Sequence, residues 1–257
     1  MLTRRHGAIL KLLENKGSRS VTTLAQELDV SAETVRRDIR ALVDAGAVLR
    51  VHGAVGLAGQ MGEAPFHRRM RENAAQKRGI ARALAAQIAD GESLMLDTGT
   101  TTSFVARELL AHRRLTIVTN SSDIARTLAT VNGNRVFMAG GELRSDSGAS
   151  LGASALEFIR AFAVQHAIIS AGAVDASGVM DFDLQEAEFA RAVLACGERR
   201  VVVTDASKFG RRGFIRVTGF ETLDAIITDT APPSAVAAAV ELAGVAMQLA
   251  AAGDNGQ

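Results

Sequence analysis

A change of pattern near Ala74 constrains the fold of this chain more than any other feature of its sequence. Beyond this residue, amphipathic helical patterns alternate with apolar runs of only a few residues. Short apolar runs between helices are typical of strands that are buried on both faces. The pattern therefore predicts an α/β fold, in which helices cover both faces of a mostly parallel sheet.

The alternation predicts strands at Ser93–Leu96, Leu115–Val118, Arg135–Ala139, Ala167–Ala171, Arg200–Thr204 and Ala225–Thr228. It predicts one helix through Ile80, Leu84 and Ile88, and others near Phe104–Leu110, Ser122–Ala129, Ala155–Ala161, Gln185–Cys196 and Pro233–Leu249.

The first 55 residues or so have a different organisation, that of a winged helix-turn-helix. Ile9 and Leu13 share the face of one helical pattern, and a second pattern covers Val21–Leu28. A third runs from Ala32 to about Ala45, and Ser31 before it is a suitable N-cap. The segment Val48–Val55 then predicts a two-stranded ribbon that turns at Gly53.

Three glycines between Gly56 and Gly62, followed by Pro65, indicate a linker after this unit. We therefore expect a winged helix-turn-helix domain over residues 1–56, a linker over 57–74 and an α/β domain over 75–257.

The charges are unevenly divided between these parts, although the whole chain carries a formal net charge of only +1. Residues 1–82 hold 15 Lys and Arg against 8 Asp and Glu, a net charge of +7, whereas the remainder carries −6. A basic end before an acidic body is expected where one end meets phosphates. The alternative is that charge varies between solvated faces without function.

The composition excludes several classes of protein. The single Cys196 excludes a disulfide framework, and the five histidines show no metal-ligand spacing. We find no signal peptide and no apolar run that reads as a membrane span, so a cytoplasmic protein is expected. We expect no metal and no cofactor.

The segment Ser31–Arg40 contains the candidate DNA-binding residues. On a helix whose inner face holds Val35 and Ile39, the polar residues face outward, and the first turn of such a helix approaches base edges in the major groove. In the alternative, the arginines are solvated and pair with Glu33 and Asp38. The candidates are Ser31, Thr34, Arg36, Arg37 and Arg40, with Arg50 and His52 at the tip of the ribbon.

Polar and glycine residues follow several predicted strands, and they are the candidate ligand-binding residues. Parallel-sheet proteins bind ligands outside the carboxyl ends of their strands, and a helix that begins there offers N–H groups to an anion. A phosphate suits the turn Asp97–Thr102; alternatively, that turn only caps its helix, and Lys208 is a solvated surface lysine. The candidates are Asp97, Gly99, Thr100, Thr101, Thr102, Asn120, Gly141, Arg144, Gly172, Glu186 and Lys208.

These motifs resemble the DeoR family of bacterial transcriptional regulators. The resemblance rests on Val30-Ser31-x-x-Thr34-Val35-Arg36-Arg37-Asp38-Ile39, on Leu49-Arg50-Val51-His52-Gly53, and on the strand-end motifs Asp97-x-Gly-Thr-Thr, Gly140-Gly141-Glu142-Leu143-Arg144 and Asp205-x-Ser-Lys-Phe-Gly. Ala54 departs from the family, which commonly has a second glycine there. The resemblance implies a sensor domain with a fold similar to ribose-5-phosphate isomerase.

Within the family, Ala139–Ser145, Met180–Asp183 and Ala231–Pro233 resemble regulators of glycerol 3-phosphate metabolism. The resemblance implies a DNA-binding regulator, expected to be a repressor of a carbohydrate or glycerol catabolic operon. Its partners would be double-stranded operator DNA, a phosphorylated sugar or polyol such as glycerol 3-phosphate, and further copies of itself in a dimer or tetramer.

The alternative is a sugar-phosphate isomerase that carries a DNA-binding appendage. Isomerisation needs a carboxylate base near the substrate carbon. The turn Ser170–Val174, where the isomerases have acids, contains none, so we expect no enzyme.

Overall fold

The computed structural model describes residues 4–16, 18–51, 54–57 and 62–251. The chain divides into two compact units, Met1–Ala64 and Pro65–Gln257.

The N-terminal unit is a winged helix-turn-helix, as predicted. Its helices are α1 (Arg4–Lys16), α2 (Val21–Glu27) and α3 (Ala32–Asp44), and its strands are β1 (Arg19–Ser20), β2 (Val48–Val51) and β3 (Ala54–Leu57). The strands form an antiparallel sheet in the order β1-β3-β2. Strand β1 was not predicted, because two residues are too few to show an alternating pattern. Gly53, where we predicted the turn of the ribbon, and His52 lie outside the described residues.

Apolar side chains from all three helices and from the ribbon form the core of this unit. Ile9, Leu13, Leu24, Val35, Ile39, Leu42, Val48 and Val55 are fully buried. The spacing of Val35 and Ile39 turns one face of α3 into this core, which leaves the opposite face to solvent. Ser31 caps α3 as predicted, since its side chain accepts a hydrogen bond of 3.1 Å from the Thr34 N–H.

A buried carboxylate also ties α3 to α1. Asp38 is 6% exposed, and its side chain accepts hydrogen bonds from Nε and Nη2 of Arg5. The Nε2 atom of His6 lies 3.3 Å from the same carboxylate. The alternative in which Asp38 pairs with arginines of its own helix is therefore wrong, because the carboxylate points inward to α1.

The C-terminal unit is built on a parallel sheet, as predicted. Within the described residues this sheet has seven strands in the order β13-β12-β10-β7-β4-β5-β6, and every pairing is parallel. The strands are β4 (Ser93–Leu96), β5 (Thr116–Thr119), β6 (Arg135–Met138), β7 (Val164–Ser170), β10 (Gly197–Val203), β12 (Ala225–Thr228) and β13 (Ala246–Leu249).

The helices of this unit are α4 (Phe66–Arg69), α5 (Ala74–Ala85), α6 (Thr100–Glu108), α7 (Ser122–Leu128), α8 (Ala153–Arg160), α9 (Leu184–Ala195) and α10 (Ser234–Leu242). Helices α5, α6 and α7 pack on one face of the sheet against Leu94, Leu96, Ile168 and Val201. Helices α8, α9 and α10 pack on the other face against Met95, Ala167, Ile169 and Val202. Successive strand residues thus enter opposite cores, which explains why the strands are apolar throughout. None of the described helices is both long and apolar enough to cross a membrane.

The prediction of one helix over Pro233–Leu249 is wrong in its second half. Helix α10 ends at Leu242, Gly244 adopts a φ of +70°, and β13 follows as an edge strand beside β12. The Ala-rich sequence favours a helix locally, but a parallel partner is available only in the folded sheet. Pairing with β12 therefore overrides the local propensity.

A second, antiparallel sheet was not predicted. It has the order β11-β9-β8, with β8 (Ala173–Asp175), β9 (Gly178–Asp181) and β11 (Ile215–Thr218). These strands have three or four residues each, too few to establish a period in the sequence.

Replacing Asp38 by Asn should lower the free energy of unfolding of the N-terminal unit by about 1 to 3 kcal/mol at neutral pH, because it weakens a buried charge-assisted hydrogen bond. Urea titrations of the full chain, followed by hydrogen exchange of the α1 and α3 amides, measure the change. Glu33→Ala is the matched control, since Glu33 forms an exposed pair with Arg36, and it should cost less than about 0.5 kcal/mol.

Asp38→Asn should also change how the stability of the N-terminal unit depends on pH. The hydrogen bond from Arg5 holds the pKa of Asp38 below its usual range, against the effect of burial. The stabilisation is therefore complete above the unfolded-state pKa of about 4 and is lost as the pH falls through the lower folded-state pKa. A difference between wild type and variant that stays constant down to about pH 2 would contradict this assignment.

Candidate functional site

The predicted ligand-binding residues lie largely at the carboxyl ends of five strands that are neighbours in the sheet. Lys208 follows β10, Gly172 follows β7, and Asp97–Thr102 follow β4. Asn120 follows β5, and Gly141 and Arg144 follow β6. Glu186 lies in the first turn of α9. The parallel topology therefore brings residues far apart in the sequence to one edge of the sheet.

Asp97, at the end of β4, is buried against the end of β7. Its Oδ1 and Oδ2 atoms accept from the Ser170 N–H at 3.1 Å and 3.0 Å. Burial raises the pKa of Asp97 to about 7, the negative charge of Asp181 adds to the rise, and the hydrogen bond from the Ser170 N–H opposes it. A fraction of the protein near neutral pH therefore carries an uncharged carboxyl group at this edge.

Gly99 provides space rather than an unusual backbone conformation. Its φ of −159° is extended, but a Cβ atom at this position would lie 1.9 Å from Oγ of Ser170. A glycine also cannot cap helix α6 with a side chain, so the first-turn N–H groups from Thr100 onward are not capped by it. A helix N-terminus of this kind favours an anion.

The threonine hydroxyls of this turn are less accessible than the sequence suggested. Thr100, Thr101 and Thr102 are each at most 4% exposed. The Thr102 hydroxyl donates to the backbone carbonyls of Asp97 and Gly99, both at 3.0 Å. That hydroxyl stabilises the turn itself.

Asn120 connects the turn after β4 with the segment after β6. Its Oδ1 accepts from the Thr98 hydroxyl at 2.9 Å, and its Nδ2 donates to the Ser150 carbonyl at 3.0 Å. The Ser150 hydroxyl in turn donates to the Gly140 carbonyl at 2.7 Å. Gly141 has a φ of +135°, and a Cβ there would lie 2.9 Å from that hydroxyl.

Arg144 reaches from the same segment to the start of α9. Its guanidinium donates to Oδ1 of Asp183 at 3.0 Å, to Oε1 of Glu186 at 3.1 Å and to Oε1 of Gln185 at 2.8 Å. Two predicted ligand-binding residues, Arg144 and Glu186, thus bind each other in this structure. The Asp183 carboxylate also caps α9, since it accepts from the N–H groups of Gln185 and Glu186.

Lys208 and Gly172 complete the edge beside β7. Lys208 lies in a short 3-10 helix, Ala206–Lys208, and is only 8% exposed, which excludes the alternative of a solvated surface lysine. Gly172 allows β9 to approach, because a Cβ there would lie 3.3 Å from the Met180 carbonyl oxygen.

In the N-terminal unit, α3 presents a polar face to solvent. Arg36, Arg37 and Arg40 are exposed, and Arg36 forms a pair of 3.2 Å with Glu33. The Ser31 and Thr34 hydroxyls lie 2.9 Å apart at the start of the helix. Arg50 lies on β2, but its side chain and all of His52 are outside the described residues.

Comparison with known proteins accounts for both units. Residues 5–60 match the DeoR-like helix-turn-helix domain, and residues 72–230 match the DeoR C terminal sensor domain. This chain belongs to the DeoR family. It is therefore a transcriptional regulator with an N-terminal DNA-binding domain and a C-terminal sensor domain, and the predicted family resemblance is confirmed.

Several relatives in the DeoR family carry the names of repressors. The chain is 36% identical to the "Glycerol-3-phosphate regulon repressor" of Escherichia coli (strain K12), over 91% of this chain and 93% of the relative. It is 34% identical to the protein of the same name from Haemophilus influenzae, over 90% and 91%. It is 35% identical to the "HTH-type transcriptional repressor CsqR" of E. coli (strain K12), over 90% and 89%.

Solved structures give a weaker likeness to the predicted isomerase fold. Ribose 5-phosphate isomerase A from Neisseria gonorrhoeae matches at 18% identity over 53% of each chain, with a TM-score of 0.39. Within the described residues, the parallel order of the seven strands itself defines the architecture of the sensor domain.

Two residues at this edge of the sheet are not among the candidate ligand-binding residues. Asp183 precedes a helix, so the sequence could have indicated an N-cap, but its bond to Arg144 joins residues 39 apart and leaves no local signal. Ser170 is the polar residue at the end of an apolar strand, and its partner Asp97 lies 73 residues away. Such contacts depend on strand order, which the sequence does not display.

Asp97→Asn tests the buried carboxyl group. Because the folded-state pKa is raised, Asp97 contributes stability below the unfolded pKa of about 4, and this contribution is lost as the pH rises to about 7. The unfolding free energy of wild type minus that of the variant should fall over this range, with a slope of at most about 1.4 kcal/mol per pH unit. Urea titrations followed by circular dichroism give the two free energies.

Asp224→Asn is the matched control for this experiment. Burial raises the pKa of Asp224, but hydrogen bonds from Arg200 outweigh it and leave the pKa lowered. Its contribution is lost only under more acidic conditions, so the corresponding difference should stay level between about pH 4.5 and about pH 7. If the free-energy difference between wild type and Asp97→Asn also stays level over this pH range, the pKa of Asp97 is not raised.

Proposed function

We propose that this DeoR-family regulator represses a glycerol or carbohydrate catabolic operon and releases its operator when the sensor domain binds a phosphorylated sugar or polyol. Glycerol 3-phosphate is the first candidate for that effector. The observation that carries this proposal is the edge of the sheet, where five neighbouring strands end. This edge has two cations, Lys208 and Arg144, carboxylates that can accept from the hydroxyls of a polyol, and a helix N-terminus without a side-chain cap.

The proposed DNA contacts follow from the exposed face of α3. Arg36, Arg37 and Arg40 are charged and accessible, whereas the opposite face of the helix is fixed in the core. A recognition helix in the major groove uses its N-terminal part for base edges. We therefore place these arginines, with Ser31 and Thr34, against the operator, and Arg50 and His52 of the ribbon against neighbouring phosphates.

The proposed effector contacts follow from the chemistry of a phosphorylated polyol. The phosphate would accept from N–H groups at the start of α6 and from Lys208, in a place where a helix dipole favours negative charge. Gly99, Thr100, Thr101, Thr102, Asn120, Gly141 and Gly172 would shape the pocket, and Asp97, Arg144 and Glu186 would bind the ligand's polar groups. Partial protonation of Asp97 reduces the repulsion that an anion would meet there.

We propose that the protein acts as a dimer or tetramer, because one small DNA-binding head buries too little surface for tight and specific binding. The effector would favour an arrangement whose heads do not match the operator half-sites. A differential affinity of about 1 to 3 kcal/mol between two states is sufficient for such control.

The hydrogen bonds of the two candidate acids, Asp97 and Glu186, also favour regulation over catalysis. Both Asp97 oxygens accept from Ser170, and Glu186 is paired with Arg144. An isomerase needs a carboxylate that can reach the substrate carbon and exchange its proton. We therefore propose that the protein does not turn over ribose 5-phosphate, and measurable isomerisation of that sugar would contradict this.

Arg36→Ala should weaken operator binding about 5- to 150-fold, the range for losing one good base contact. Operator DNA selected by the wild-type protein from a random library serves as the probe, and fluorescence anisotropy measures Kd. Arg126→Ala removes the same charge from a side chain of α7 that is 83% exposed, and it should leave Kd unchanged. Wild-type affinity in Arg36→Ala would refute the assignment of α3.

Lys208→Met should weaken binding of glycerol 3-phosphate to the full chain about 10- to 100-fold, because it removes a charged donor but keeps the buried stem of the side chain. Isothermal titration calorimetry measures the affinity. Arg212→Met changes an exposed cation four residues away and should have little effect. Equal losses in both variants would indicate a general effect of positive charge and not a contact from Lys208.

A further inference from the structure

The segment Pro65–Asn73 begins the C-terminal unit, so it is the part of the sensor domain that is covalently nearest to the DNA-binding domain. It comprises helix α4 and the turn that leads into α5. Side-chain hydrogen bonds join it to two segments that each carry a proposed effector-binding cation.

The first attachment is to the segment that carries Arg144. The Phe66 N–H donates to both carboxylate oxygens of Asp146, at 3.2 Å and 3.0 Å. Asp146 lies in a turn closed by two backbone hydrogen bonds, from Arg144 N–H to the Ala149 carbonyl at 2.9 Å and from Gly148 N–H to the Arg144 carbonyl at 2.8 Å. The closed turn therefore joins the backbone of Arg144 to that of Asp146.

The second attachment is to the segment that carries Lys208. Nδ2 of Asn73 donates to Oδ1 of Asp205 at 3.0 Å. The same oxygen caps the 3-10 helix Ala206–Lys208, since it accepts from the Ser207 N–H at 3.0 Å. A change in this short helix therefore acts on the atom that Asn73 binds.

A buried lysine joins the segment to α5. Lys77 on α5 is 2% exposed, and its Nζ donates to the backbone carbonyls of Arg69 and Glu72 at 2.5 Å and 2.9 Å. These bonds join the end of α4 and the following turn to α5.

We propose that Asp146 and Asn73 are positioning residues that transmit occupancy of the effector site to the segment Pro65–Asn73, and through it to the DNA-binding domain. This inference rests on the proposed function, because it assigns the route by which that site controls DNA binding. When Arg144 and Lys208 turn to an anionic effector, the segments that carry them shift, and the two hydrogen bonds pull Pro65–Asn73 along.

The test compares three affinities in the full chain for wild type and for the double variant Asp146→Ala/Asn73→Gly. Glycine suits position 73, where Asn adopts a φ of +53°, so the turn is preserved. Both side chains are exposed, and both binding sites should remain intact. We expect operator affinity without effector, and glycerol 3-phosphate affinity without DNA, to stay within about 3-fold of wild type.

The expected loss is in the coupling between the two ligands. Saturating glycerol 3-phosphate should weaken operator binding by wild type about 5- to 150-fold, and by the double variant less than about 3-fold. Asp175→Ala is the control, because that carboxylate accepts from the Ser177 N–H within its own turn, between β8 and β9. Full coupling in the double variant, or equal loss in the control, would overturn the inference.

A second measurement needs no effector, so it tests the transmission route separately from the proposed function. Arg144→Ala should change hydrogen exchange of peptides covering 65–73 several-fold in the wild-type background, and should not do so when Asp146 and Asn73 are also replaced. Unchanged exchange in the wild-type background would overturn the transmission route, whatever the effector is. Absence of any effect of glycerol 3-phosphate on wild-type operator binding would instead count against the proposed function.

Discussion

The parallel pairing of β7 with β4 on one side and β10 on the other is the constraint on which the sensor domain depends. Because all seven strands run in the same direction, every strand ends at the same edge of the sheet. The segments beyond these ends therefore lie side by side, although Asp97 and Ser170 are 73 residues apart in the chain. The site, its charges and its connection to Pro65–Asn73 all follow from that alignment.

The proposed anionic effector would bind within an acidic part of the chain, since residues 83–257 carry a net charge of −6. Positive charge at the edge of the sheet is local. Lys208 is buried at one strand end, Arg144 is held by Asp183 and Glu186 at another, and burial leaves Asp97 partly uncharged near neutral pH. Under the proposed function, an incoming anion would compete with these two carboxylates for Arg144.

The predictable part of the molecule was the part governed by local pattern. The helix-turn-helix followed from apolar spacing and from the Ser31 cap, and the parallel sheet followed from short apolar runs. The antiparallel sheet and strand β13 were missed, because β8 and β11 are too short to show a period and because the Ala-rich segment before Leu249 favours a helix. The partner of Asp38 was also missed, since the pattern within α3 contains no information about α1.

Local patterns in the sequence were enough to predict a basic helix-turn-helix before an acidic α/β sensor, and the motifs identified the DeoR family. It also indicated which residue types follow the strands, because turn chemistry and burial patterns are local properties of the chain. Which of these residues contact each other depends on how the chain folds. Strand order places Asp97 against Ser170, the turn after β6 carries Arg144 to α9, and Asn73 reaches Asp205. The reason is physical: such contacts form when distant segments pack around a common core, and spacing along the chain does not encode that packing.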